Sequence, residues 1–317
     1  MSLTEVEFDS CGETIRADLY LPKGEKPFPV VVMAGGWCYV KELRQPQYAN
    51  EFVERGFAAL IFDYRRMGAS EGEPRQHIDP WDQIEDYKNA ITYVETHPDL
   101  DATRIGVWGI SYSGGHVLIL ASMDPRVKAI VSNVPVIDGY ETMWRVHGTE
   151  RFRKLNDALL ADRRHRQETG EYTYIGMSGT PESPDAPLTT WPFDEVRIVF
   201  EELKVTQAPR HEHRNTVQSV ENLMQYNAAP YAHRIINKPV MMILASGDDI
   251  TMWDQEIAAF DAIQSPDKEL VILPATDHMT LYSNLTALDY AARAAGSWFS
   301  RHLSESPTIA NKIGQFS

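Results

Sequence analysis

RIGVWGISYSGGHVLIL, residues 104–120, passes from a β-forming apolar run directly into a helix-forming one, with small residues crowded at 109–115. The run RIGVWGI is apolar without alternation, which is the pattern of a strand covered on both faces. A chain that turns sharply from strand into helix needs small residues two before and two after the turning residue; Gly109 and Ser113 occupy those places around Ser111. A plain Gly/Ser-rich turn would satisfy this pattern. So would a turn that holds Ser111 up as a nucleophile, and that reading requires partners elsewhere in the chain.

Outward from this junction the same rhythm recurs. PVVVMAG (29–35), FAALIFDY (57–64), VKAIVSNVP (127–135), KPVMMILASGDD (238–249) and KELVILPATDH (268–278) read as core strands, whereas TEVEF (4–8) and TIRADLYLP (14–22) alternate as half-exposed antiparallel strands do. Helical patterns fall between them: QYANEFVERG, a face made by Trp81, Ile84, Tyr87, Ile91 and Val94, stretches near 113–122 and 252–264, and a last helix with Leu288, Ala292, Ala295, Trp298 and Phe299 inward. Strand, helix, strand in this order predicts an α/β fold with a mainly parallel central sheet and helices on both faces. Residues 137–237 break the rhythm with no buried-strand pattern and with proline-rich text, GTPESPDAPLTTWP, at 179–192. Such a stretch is too long for a connection in a compact domain. It reads as an inserted cap, partly helical around 148–168 and 194–205, which divides one core into 1–136 and 238–303 and leaves 304–317 as a tail without periodic signal.

The formal charge of −15, from 45 acidic and 30 basic residues, repels phosphate backbones and anionic lipid, so neither nucleic acid nor membrane is an expected partner. The start, MSLTEVEFDS, lacks the basic segment and apolar run of a signal peptide, and no apolar stretch approaches the roughly 20 residues that span a bilayer. With only two cysteines, Cys11 and Cys38, read as free thiols, the expected place is the cytoplasm.

A serine nucleophile needs a base, an acid to orient the base, and donors for the developing oxyanion. In a parallel sheet these come from the carboxyl ends of strands. Asp248 and Asp249 both end the strand in MMILASGDDITMW; Asp248 is the expected acid and Asp249 the alternative, since strand ends are uncertain by a few residues. His278 follows the next strand and is the expected base, while His116 reads as packing. The oxyanion donors expected are the amides of Tyr112, which follows the nucleophile, and of Trp37 in the loop GGWCYVKE (35–42). Cys38 beside it has no evident histidine partner. HEH at 211–213 reads as a solvated charged loop rather than a metal clamp, and no metal or cofactor is expected. Trp144, His147, Trp191 and Tyr226 are candidates to line an acyl pocket, with packing of the cap onto the core as the competing role.

These residues resemble the α/β-hydrolase superfamily over about 19–135 and 238–303. VVVMAGGWCYVKE resembles its strand-to-oxyanion loop, with Gly35 where a histidine often stands. IFDYRRMGASEGEP resembles the D-x-R-G-x-G-x-S-x-G segment, with Arg66 in place of the first glycine. WGISYSGG resembles the nucleophile elbow of the dienelactone-hydrolase and Xaa-Pro-peptidase side, and DHMTLY the terminal histidine motif. The elbow text continuing through HVLILASMDPRVKAIVSNVP, with NTVQSVENLMQYNAAPYAHRIINKP closing the cap, is similar to polyketide-pathway hydrolases and acyl transferases. The resemblance implies an α/β-hydrolase fold and a serine hydrolase acting on a carboxylic ester, thioester or lactone. Its triad would be Ser111, His278 and Asp248, its intermediate an acyl-enzyme, and its partner a small-molecule acyl substrate, with a homodimer left open. Three other functions stay in view: an acyltransferase with the same triad, a peptidase or amidase, and a ligand-binding protein without catalysis.

Overall fold

The continuously apolar runs become the middle of one sheet. The computed structural model describes residues 1–183 and 186–304. In chain order the elements are β1 (Ser2–Ser10), β2 (Glu13–Leu21), β3 (Phe28–Ala34), α1 (Gln45–Glu54), β4 (Ala58–Phe62), α2 (Pro80–Thr96), β5 (Leu100–Ile110), α3 (Tyr112–Met123) and β6 (Val127–Asn133). There follow α4 (Gly139–Thr169), β7 (Tyr174–Ser178), β8 (Thr189–Trp191), α5 (Asp194–Thr206), β9 (Arg214–Thr216), α6 (Val217–Gln225) and α7 (Ala229–Ala232). The chain closes with β10 (Val240–Ala245), α8 (Trp253–Ala262), β11 (Lys268–Leu273), α9 (Thr280–Ser283) and α10 (Leu285–Leu303). Eight strands form the main sheet in the order β1-β2-β4-β3-β5-β6-β10-β11. The β1–β2 and β2–β4 pairs are antiparallel, and every later pair is parallel.

Burial follows this order. Every residue of β4 and of β10 is buried, because parallel strands are roofed by crossover helices, whereas β1 at the edge buries little before Phe8. Helices α1 and α10 pack together on one face, and α2 with α3 on the other. The stripe expected on α10 is buried in full, and Gly106 of β5 leaves room for Phe299 and Leu303 where a Cβ would not fit. One buried tyrosine ties the ends of β3 and β5 together. The Tyr87 hydroxyl accepts from the Ala34 amide at 2.9 Å and donates to the Trp108 carbonyl at 2.8 Å.

Two expectations change. Trp81, placed by its spacing on the inward face of α2, is 47% exposed. It stands in the first turn, just after the Asp79 cap, beside Tyr231 rather than over the sheet. The stretch 137–237 contains α4, which breaks at Gly148 where φ is 64°, and also a second, three-stranded sheet in the order β8-β7-β9 that the sequence reading did not foresee. The tail from 305 lies outside the described residues. Among the described residues no helix is long and apolar enough to cross a membrane.

Candidate active site

Ser111 sits between β5 and α3 with φ 57° and ψ −118°, a conformation that L-residues avoid and that persists only when the surroundings enforce it. They do so from both sides. The Ser111 amide donates to the Asn133 carbonyl at 2.9 Å, and its carbonyl accepts from Val136 at 3.1 Å. A Cβ on Gly109 would lie 2.2 Å from the Ser113 carbonyl oxygen, so the position two before Ser111 must be glycine. Ser113, where many such turns carry a second glycine, is fully buried and uses its hydroxyl. Its Oγ accepts from the Ile110 amide at 2.8 Å and lies 2.8 Å from the Ala34 carbonyl, stapling this turn to the end of β3.

Asp248 and His278 reach the same place from the ends of β10 and β11. Asp248 Oδ2 is 2.7 Å from His278 Nδ1, and Oδ1 accepts from the amides of Ile250 (3.0 Å) and Thr251 (2.8 Å). Burial works to raise the Asp248 carboxyl, but the facing imidazole and these donors outweigh it and hold it below its ordinary value. A carboxylate can only accept, so His278 Nδ1 carries a proton toward it and Nε2 is the nitrogen turned away from Asp248. Asp249 is exposed; the partial desolvation it does meet, and then the neighbouring carboxylates of Asp248 and Asp277, raise its carboxyl.

The loop after β3 lies against Ser111. A Cβ on Gly36 would come within 2.9 Å of Ser111 Cβ and 3.4 Å of its Oγ. Among the described residues the Trp37 amide donates to no backbone carbonyl, and Tyr112 opens α3, so its amide lacks an intrahelical acceptor. Asp63 braces the loop by accepting from the Lys41 amide at 2.6 Å and the Ala69 amide at 2.8 Å; burial pushes its carboxyl up to about 7 against those two donors. Further pins come from the inserted stretch. Trp37 Nε1 and Thr190 Oγ1 both donate to Asn215 Oδ1, at 3.0 and 2.9 Å.

The HEH segment is one of these pins and not a solvated loop. His211 is 1% exposed, with Nδ1 3.0 Å from the Cys38 carbonyl; its Nε2 is 3.3 Å from His213 Nδ1, and His213 Nε2 is 2.8 Å from Ser178 Oγ. The Cys38 carbonyl can only accept, which fixes every proton in this chain: Ser178 donates to His213, His213 to His211, and His211 to Cys38. Burial keeps both imidazoles neutral, lowering His211 to about 4 and His213 in the same direction. Cys38 is buried and free, and burial pushes its thiol well up, away from the reactive thiolate.

Trp37, Tyr39, Ser111, Met177, Trp191 and His278 are among the residues lining a narrow apolar cavity, completed by Val196, Phe200, Ile250, Met279 and Tyr282. Of the four aromatic candidates in the inserted stretch, Trp191 lines it. The other three do not. Trp144 is 39% exposed and packs edge-on to Phe152, His147 bonds the Thr190 carbonyl through Nε2, and Tyr226 is buried against Tyr112 with its hydroxyl 3.1 Å from His116 Nδ1. His116 is packing, bonded on its other side to Gln83. Tyr282, four residues after His278, stacks on that ring at 5.6 Å and lines the cavity with Ser111; its spacing in DHMTLY was the available signal. Glu195, Asp249 and Asp277 give His278 an acidic surround outside the cavity lining.

Residues 12–280 match the X-Pro dipeptidyl-peptidase (S15) family. The thiohydrolase aneE of Aspergillus aculeatus is 31% identical over 83% of this chain and 82% of its own length. The acyltransferase drtE of Aspergillus calidoustus is 30% identical over 87% and 88%. Among solved structures, the α/β-hydrolase GrgF from Penicillium sp. sh18 superposes with a TM-score of 0.80 at 25% identity, over 96% of this chain and all of that one.

Proposed function

Because the chain belongs to the X-Pro dipeptidyl-peptidase (S15) family and has the α/β-hydrolase fold, we propose that it transfers an acyl group through Ser111, His278 and Asp248. The single observation that carries this reading is the Asp248–His278 pair, 2.7 Å apart at the ends of neighbouring strands, with His278 lining the same cavity as Ser111. The Ser111 oxygen attacks the substrate carbonyl while His278 Nε2 takes its proton, and Asp248 stabilises the imidazolium. The oxyanion rests on the amides of Trp37 and Tyr112. As the tetrahedral species collapses, the proton passes from His278 to the leaving group and an acyl-enzyme remains. A water then gives its proton to His278 and attacks the ester, and Ser111 regains its proton as the acid leaves.

The apolar, mostly aromatic lining supports a partly hydrophobic ester, thioester or lactone as substrate, with residues 137–237 acting as a cap that supplies Met177, Trp191, Val196 and Phe200. Thioesters stand first among these, given the relative named a thiohydrolase. The relative named an acyltransferase favours a second reading in which an organic acceptor replaces water at the acyl-enzyme, since a narrow apolar cavity admits little solvent.

Intact-mass analysis after exposure to a fluorophosphonate, with Ser111→Ala beside the wild type and short aryl esters and thioesters assayed in parallel, tests the proposal. The expected result is one adduct and turnover in the wild type and neither in the variant. A correctly folded wild type that forms no adduct overturns it. Repeating turnover with added alcohols and amines separates transfer from hydrolysis.

A further inference from the structure

Behind His278 lies a second carboxyl that the mechanism above does not use. Glu256, in the first turn of α8, is 0% exposed. Its Oε1 accepts from Thr251 Oγ1 at 3.0 Å, and Oε2 has no hydrogen-bond partner among the described residues. A buried polar atom without a partner is uncommon enough to demand a reason. Thr251, also fully buried, stands where three groups meet. Its amide binds Asp248 Oδ1 at 2.8 Å, and its hydroxyl oxygen is 3.2 Å from His278 Nδ1.

The Thr251 hydroxyl has one proton, donated to Glu256 Oε1 at 3.0 Å, while Asp248, which the Thr251 amide already holds, is the other carboxylate beside it. Where that proton goes decides what His278 sees. Directed at Asp248, it competes with the imidazole proton for the same carboxylate. Directed at Glu256, it leaves Asp248 to the imidazole and turns an oxygen lone pair onto Nδ1–H, which then has two acceptors, at 2.7 and 3.2 Å.

We propose that Glu256 is a positioning residue: by taking the Thr251 proton it keeps Asp248 for His278 and fixes the imidazole as the base for Ser111. The inference rests on the reading of Ser111 and His278 as nucleophile and base. Glu256 does this as an uncharged acid. It is sealed from water, the charged groups that face it are Asp248 from the β10 end and Asp254 from its own helix turn, and Arg145 is occupied by Asp254 at 2.7 Å. Burial first, then the Asp248 charge, pushes the Glu256 carboxyl well up. Held uncharged, it keeps Oε1 as the acceptor for the Thr251 hydroxyl, which an amide oxygen reproduces.

The test measures fluorophosphonate inactivation rates and aryl-ester kcat and KM from pH 5 to 9 for wild type, Glu256→Gln, Glu256→Leu and Thr251→Val, each checked for wild-type circular dichroism. Gln keeps the neutral acceptor, so its rates stay within about threefold of wild type and its acid limb within about 0.3 pH unit. Leu and Val each lower kcat and the inactivation rate by about tenfold, with KM little changed, and move the acid limb to lower pH, because the imidazolium loses an acceptor or shares Asp248. Folded Leu and Val variants that both react as wild type overturn the inference while leaving Ser111 as nucleophile. Should Leu fail to fold, Val decides. A Gln variant whose acid limb falls by about one unit or more shows that an ionised Glu256 acts and overturns the uncharged role. A wild type that is not modified at Ser111 at all is the separate failure of the parent reading, and takes the inference with it.

Discussion

Two aspartates stand side by side at the end of β10, and their surroundings alone separate them. Asp248 is buried, bonded to His278 and to two amides; its neighbour Asp249 is exposed. Asp248→Asn is therefore expected to lower kcat about 1,000- to 10,000-fold, because an amide at that place favours the wrong imidazole tautomer. Asp249→Asn, an exposed change, should stay within about threefold. Steady-state rates on one aryl ester decide, and equal losses would argue against Asp248 as the orienting acid. The placing of Ser111, Asp248 and His278 just beyond strand ends was legible, because strand ends are a local property of the chain. Glu256 and Asn215 were not. Each acts through a bond that folding alone creates, Asn215 to Trp37 across 178 positions and Glu256 through Thr251 to a histidine 27 positions further on.

At the level of elements, the loop after β3 is held by groups from three directions: Asp63 below, Ser113 through the Ala34 carbonyl, and the His211–His213 chain with Asn215 from the inserted stretch. Replacing His211 with Leu keeps an apolar filler but removes the donor to the Cys38 carbonyl, leaving that carbonyl without this partner next to the Trp37 amide. The expected loss is about tenfold in kcat with a smaller change in KM, read on the same ester; a pure KM effect would place the pin in substrate binding instead. Core strands and helices were readable because burial on one or both faces writes a period into five to nineteen residues. Strands β8 and β9 have three residues each, too few for any period to show, so the small sheet escaped notice. The HEH stretch misled for a related reason: its polar composition resembles a surface, yet both of its histidine rings are bonded internally.

For the whole molecule, His77, His116, His147 and His211 are all held neutral, chiefly by burial, at about 4, 3, 4 and 4. Between the ordinary histidine value of 6.5 and these lowered values the unfolded chain binds protons that the folded chain refuses, so stability is complete above 6.5 and is lost as pH falls toward 4. Asp63 and Glu256, raised in the folded state, bind protons there and offset two of the four. Calorimetry should show a melting temperature that drops from pH 7 to 5, with net proton uptake on unfolding near pH 5, to which the lowered His213 adds. A melting temperature that is flat or rising over that range would contradict the assignment of these histidines as buried and neutral. The overall architecture was readable from the spacing of apolar runs, whereas the internal fold of the excursion at 137–237 was not. One property of that excursion bears on how far it can be altered. It leaves after β6 and returns at β10, and these strands are direct neighbours, Ile130 opposite Val240. The excursion between them can therefore be altered without disturbing a single rung of the main sheet, provided the few residues that reach back to the β3 loop are kept.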